Sequence, residues 1–208
     1  MAKIAGMDAA EATDKMTAAL RGFNMELNEA SARRVADVYS ELAAVTAAST
    51  QEIANAMTKT ASIAHSAGME FETTAAFLSQ IVETTRESAE TAGTAMKTII
   101  ARFQELKKSP DEIDDIDGEV VDANAIETAL RSVGVSLRDA SGQFRELDDV
   151  FMELSSKWDT LDKNTQRYIA TIAAGSRQQS RFIAMMSDYK RTQELVAKAN
   201  TSAGASQR

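Results

Sequence analysis

The hydrophobic positions of the chain recur at helical spacing almost throughout, with one interruption in the second half. Over residues 9–21, Ala12, Met16, Ala19 and Leu20 fall three and four apart, and Gly22 is the expected stop. From Asn28 a second stripe runs through Val35, Val38, Tyr39, Leu42 and Val45 and ends near Ala48. Ser49-Thr50-Gln51-Glu52 has the form of a capping box, so a third helix starts there, with Ile53, Ala56, Met57, Thr60 and Ala64 on one face. Gly68 supplies its left-handed C-terminal position. A fourth helix opens near Glu70 and carries Thr74, Phe77, Leu78 and Ile81 inward to about Arg86. Ser88 is a candidate N-cap for a fifth, in which Met96, Ile99, Ile100, Phe103 and Leu106 form the cleanest amphipathic stripe of the first half. Lys107 and Lys108 suit its C-terminal dipole, and Ser109-Pro110 ends it.

The interruption lies in residues 134–158. Val135, Leu137, Phe144 and Leu147 flank the turn Asp139-Ala140-Ser141-Gly142, where Gly142 can take the positive φ that such turns need, and the pattern predicts a β-hairpin. Ile126, Leu130 and Val133 lead into it on a short helix; Val150, Phe151, Leu154 and Trp158 line the helix that follows. Phe144, Phe151 and Trp158 are its expected core anchors. Asp162 or Asn164 then caps a helix bearing Tyr168, Ile169, Ile172 and Ala173, terminated by Gly175. Ser176 to Gln179 repeats the capping pattern before a last helix with Phe182, Met185, Met186, Tyr189, Leu195 and Val196. The expected fold is mainly α: a compact multi-helix domain with one small β-hairpin near residues 134–147. Its expected division is a mobile N-terminal helix (1–22), a first helical part (23–109), an acidic linker (110–123), a second helical part with the hairpin (124–200) and a disordered tail (201–208).

Composition modifies this picture in two ways. Hydrophobic residues make up 44% of the chain but aromatics only 5%, with Ala supplying much of the difference, so closely spaced helices around a thin core are expected. The single proline agrees with a helical chain. A net charge of -8 argues against a broad grip on nucleic acid, which needs clustered Lys and Arg. The N-terminal residues lack the apolar core of a signal peptide, and no run approaches the ~20 apolar residues of a membrane span.

Candidate chemistry is sparse. There is no Cys, and His65 is the only His, without a geometry that would make Ser66 beside it a nucleophile. Asp115-Ile116-Asp117-Gly118 resembles part of a calcium loop, but aligning Gly118 with the sixth position places Ile113 first and Asn124 twelfth, where Asp and Glu are required. A solvated acidic loop is the better reading. No phosphate-binding glycine loop occurs, and no catalytic residue, cofactor or metal site is expected. Arg177, Arg181, Lys190 and Arg191 give a locally basic helix that is expected to be solvated or to meet the acidic linker in the same or a neighbouring chain.

Several separated motifs carry a resemblance. Thr46-Ala47-Ala48-Ser49, Ala67-Gly68-Met69, Thr84-Thr85-Arg86, residues 92–98 around Gly93, Ile100-Ala101-Arg102, residues 133–140 around Gly134 and Asp139, Gly142-Gln143-Phe144-Arg145, Lys157-Trp158 and residues 174–182 from Gly175 and Arg177 to Phe182 occur in one order. This run, over about residues 20–195, resembles the core region of the tail tape measure proteins of long-tailed bacteriophages and prophages. On the resemblance, Gly68, Gly93, Gly134, Asp139, Gly142, Phe144, Trp158, Gly175, Arg177 and Phe182 are fold-defining positions. Family members often carry a Ser or Asp cap after the glycine matching Gly68, whereas Glu70 stands here. Family proteins are also much longer, so the chain resembles an excised core.

The resemblance implies a non-enzymatic ruler or scaffold that sets tail length during tube assembly and leaves during DNA ejection. Implied partners are the tail tube protein, a tail assembly chaperone and further copies of the chain, with the virion tail, and the host cytoplasm during assembly, as the location. Two rival readings are a helical interaction module of cellular origin, such as a sensor or secreted effector, and a fragment of a cell-wall hydrolase.

Overall fold

The computed structural model describes residues 6–105, 114–116, 119–121 and 123–207. Helices α1 (Ala9–Gly22), α2 (Glu29–Val45), α3 (Thr50–Ser66), α4 (Phe71–Thr85) and α5 (Ala89–Glu105) come first. Strands β1 (Asp114–Ile116) and β2 (Glu119–Val121) follow as an antiparallel pair, with Asp115 opposite Val120. The chain continues through α6 (Ala123–Ser132), α7 (Leu147–Trp158), α8 (Lys163–Ala174), α9 (Gln179–Met186) and α10 (Tyr189–Asn200) to a 3₁₀ turn, Ala205–Gln207. The fold is mainly helical. These elements form two compact units: described residues up to Thr94 together with those from Lys190 onward, and Ala95–Tyr189 between them.

Local chemistry sets the helix ends of the first unit. Asp8 and Asn28 cap α1 and α2 by accepting from Glu11 N–H and Ser31 N–H, each at 2.9 Å. The predicted capping box at Ser49 is formed on both sides: Glu52 N–H donates to Ser49 Oγ, and Ser49 N–H donates to Glu52 Oε2 at 2.8 Å. Gly68, at φ +77°, ends α3 in a Schellman motif, with Met69 N–H to Ala64 O at 3.0 Å and Gly68 N–H to His65 O at 3.1 Å. Glu70 precedes α4 without a side-chain capping bond. The core holds Val35, Val38, Tyr39, Leu42, Ile53, Met57, Phe71, Phe77, Leu78 and Ile81. Between these large side chains the backbones touch through small ones: a Cβ on Gly22 would lie 2.4 Å from Ala61 Cβ, and one on Gly93 only 2.5 Å from Ala56 O.

The second unit is built on rings. Phe103 and Phe151 meet edge to face at 5.1 Å, as do Trp158 and Phe182 at 5.7 Å; Phe151, Trp158 and Phe182 are completely buried. Ile99, Ile100, Ile126, Leu130, Leu154, Ile169 and Met185 fill the space around them. Asp162 caps α8, accepting from Asn164 N–H and Thr165 N–H at 3.0 and 3.1 Å.

Several expectations are corrected. Residues 134–147 do not form a strand hairpin. They make a turn closed by one antiparallel bridge, Arg138 to Phe144, because Asp139 draws the backbone N–H groups of Ser141 and Gln143 onto its own carboxylate. Phe144 is only half-buried, since the arginine stacked on it keeps the ring at the surface. Gly22 stays inside α1, and the left-handed stop is Asn24 at φ +53°. The N-terminal helix expected to be mobile packs on α3 through that same glycine. Residues 201–207, expected to be disordered, instead fold back onto α2. The long last helix is broken at Asp188, at φ +59°, and α9 starts after Gln178 without a side-chain capping bond rather than at Ser176. Tyr168 is 55% exposed, because the inward face of α8 is set by Gln166, Ile169, Ala170 and Ala173. Pro110, Ile113, Asp117 and Gly118, with half of the expected linker, lie outside the described residues.

Candidate functional site

The residues picked out from sequence fall into three places. Gly134, Asp139, Gly142 and Phe144 share the turn between α6 and α7. Gly134, at φ +77°, ends α6 in a second Schellman motif, with Val135 N–H donating to Leu130 O at 3.0 Å, and this carries Val135 and Leu137 into the core. Asp139 accepts from Ser141 N–H at 2.8 Å, Ser141 Oγ–H at 2.7 Å and Gln143 N–H at 3.0 Å, and these bonds hold its carboxyl below the usual range. The Arg138 guanidinium lies 4.0 Å from the centre of the Phe144 ring and donates to Gly142 O at 3.1 Å. Lys157, on the last turn of α7, donates to Gly134 O and to Glu153 at 3.0 Å, and Arg145 donates to Glu153 as well. Burial pushes the Glu153 carboxyl up, but these two cations together hold it below its ordinary value.

Trp158 and Phe182 come together in the second unit's core, and Gly175 and Arg177 form the turn that joins α8 to α9. Gly175 takes φ +78° with its N–H on Thr171 O; Arg177 is exposed. Gly68 and Gly93 belong to the first unit. There Gly93 lies against Ala56, and its carbonyl accepts from Thr60 Oγ1–H at 3.1 Å.

The first unit also carries a feature that sequence reasoning missed. An open cleft of about 640 Å³ lies between the start of α2 and the residues after α10, lined by Glu29, Arg33, Arg34, Asp37, Glu72 and Ala203 among others. Its charges are mutually satisfied. Arg34 forks onto Glu72 at 2.6 and 2.8 Å, and Arg33 pairs with Glu29 at 2.7 Å. Asp37, only 4% exposed, accepts from Gly204 N–H and Ser206 N–H, each at 2.8 Å. Burial pushes its carboxyl up, and the bonds from Ser206 and Gly204, with Arg33 nearby, bring it below the usual value. No spacing rule joins Asp37 to residues so far along the chain. The one available signal was an acidic residue beside Ala36 and Val38 on the apolar stripe of α2.

No group of three or more His, Cys, Asp or Glu side chains among the described residues is arranged to hold a metal ion. His65 is exposed and meets the Phe23 ring edge to face at 5.9 Å. No described helix is long and apolar enough to cross a membrane.

Residues 1–175 match the family described as phage-related minor tail protein. The chain is similar to a tape measure protein of Pneumococcus phage Dp-1, with 30% identity over 156 residues; the match covers 75% of this chain and 12% of that protein. No solved structure matches.

Proposed function

We propose a role that follows from membership: this chain belongs to the phage-related minor tail protein family, and it acts as a segment of the ruler around which a tail tube is assembled. The observation that carries this reading is the likeness to the phage Dp-1 tape measure protein across three quarters of the chain. Because the chain spans only 12% of that protein's length, the ruler function belongs to the longer molecule of which such a segment would be part.

The physics of a ruler suits a helical chain. A continuous helix rises ~1.5 Å per residue, so a chain of this length drawn out as helix spans on the order of 310 Å. A single compact domain of the same number of residues would have a radius of gyration of about 17 Å. The compact units are then the free form, and confinement in the tube straightens the same helices end to end. Tube subunits polymerise around the extended form, a chaperone keeps the chain from aggregating in the host cytoplasm beforehand, and the chain leaves through the tube at ejection. The family match removes the support for a cellular sensor or effector module.

Duplicating this segment in frame within the parent gene tests the reading. Electron micrographs should show tails longer by about 1.5 Å per inserted residue. Tails of unchanged length would contradict a ruler role.

A further inference from the structure

We propose that residues 201–207 are a releasable strap that closes the first unit through a single carboxylate, Asp37, and opens while the helices beneath it stay folded. The geometry separates two tiers of attachment. Helix α10 is held by side chains: Arg191 forks onto Glu83 at 3.0 and 3.3 Å and reaches Val45 O, Thr192 Oγ1–H donates to Gln80 Oε1 at 2.6 Å, and Lys198 pairs with Glu41 at 3.4 Å. Beyond Asn200 the attachment changes character. One Asp37 oxygen takes Gly204 N–H and the other takes Ser206 N–H, across more than 160 positions of sequence.

Gly204 makes this possible. At φ +82°, with Ala205 N–H on Ser202 O at 2.8 Å and Gln207 N–H on Gly204 O at 3.1 Å, the backbone turns so that alternate N–H groups face the same carboxylate. The Ser206 side chain adds a further hydrogen bond to the same carboxylate. Ser202 is buried, but Ala203 is exposed and Gly204, Ala205 and Ser206 are half-covered, so apolar burial contributes less than these charge-assisted bonds. The Arg33–Glu29 and Arg34–Glu72 pairs are the other charged groups lining the cleft beside Asp37. Each is already engaged within the first unit, with Arg33 on Glu29.

The use of the strap rests on the ruler reading given above. Tension on the chain beyond Ser206 would reach the Asp37 bonds before it reaches α10, so the strap would be the first attachment to give way as a compact unit is drawn out. Release would also widen the cleft between α2 and residues 199–203.

Amide hydrogen exchange followed by NMR on the 208-residue chain tests this residue by residue. The Gly204 and Ser206 amides should be protected in the unaltered chain. In Asp37→Ala they should exchange faster by about tenfold or more, while amides of Leu78 and Ile81 in α4 keep their protection. Ser206→Pro deletes both the N–H and the hydroxyl that Ser206 offers Asp37, from the strap side alone. It should accelerate exchange at Gly204 in the same way, and it decides the matter should Asp37→Ala fail to fold. Exchange at Gly204 and Ser206 as fast as at exposed Ala203 in the unaltered chain would overturn the proposal. So would unchanged protection in the variants, or α4 amides accelerating in step with the strap. Exchange is read on the free chain, so the strap can fail this test while duplicated tails still lengthen, and the reverse.

Discussion

Both units bury aromatic rings, but their helices are brought together differently. In the first, helices approach until backbones touch, Gly22 on Ala61 and Gly93 on Ala56, and the larger side chains pack beside those close approaches. In the second, rings hold the helices together: Phe103 on Phe151 and Trp158 on Phe182. A close seam of small residues fails when an atom is added, and an aromatic core fails when atoms are removed. The contrast teaches that a low aromatic content need not mean a uniformly thin core. Rings are buried in both units, Phe23, Tyr39 and Phe71 among them in the first, which adds close glycine seams between its helices.

The largest effect should come from removing a ring. Trp158→Ala deletes a fully buried indole packed on Phe182 and should lower unfolding stability by about 3–5 kcal/mol in denaturant titration. A change within error would break the comparison on the side of the second unit.

Adding one methyl to the seam should have the next largest effect. Gly93→Ala would gain helix propensity, by about 1 kcal/mol. Its Cβ, however, would sit 2.5 Å from Ala56 O and 2.9 Å from Ala56 Cα, and backbone atoms cannot swing aside. Overpacking should win, with a net loss of about 1–3 kcal/mol by thermal melting. A stabilised variant would show that the seam is looser than its geometry.

Acid should act more weakly, through Glu153. Its folded-state carboxyl is held below the unfolded value by Arg145 and Lys157, so the stability it contributes is fully present above the ordinary glutamate range and is lost as pH falls through the lowered folded value. Chemical shifts at Gly134 and Arg145 should move with that titration, and Glu153→Gln should abolish the shift. Movement that persists in the variant would assign it to another group.

Much of this architecture was legible because the signals were local. The capping box at Ser49, the Schellman glycine at Gly68 and the stripe from Met96 to Phe103 each need only neighbouring residues to work. The misreadings came where a local pattern had two physical outcomes. Alternating apolar residues around Gly142 suited a hairpin, but Asp139 competes for the N–H groups that a ladder would use. Gly22 had the look of a helix stop, yet its lack of a side chain serves the close approach to Ala61, and Asn24 turns the chain instead. The Asp37 bonds were invisible because they join α2 to residues at the far end of the sequence. No periodicity encodes such a pairing.

The proposed passage from a compact free chain to an extended one in the tail is reported directly by the Trp158–Phe182 pair. Their ring centres are 5.7 Å apart in the folded chain. Drawn out as continuous helix, the two positions would be about 36 Å apart. Distance measurement between labels at 158 and 182, made on assembled tails and on the free chain, should give the long separation in tails and the short one in solution. A short separation in both would contradict the claim, leaving a folded domain carried by the tail rather than a ruler drawn through it.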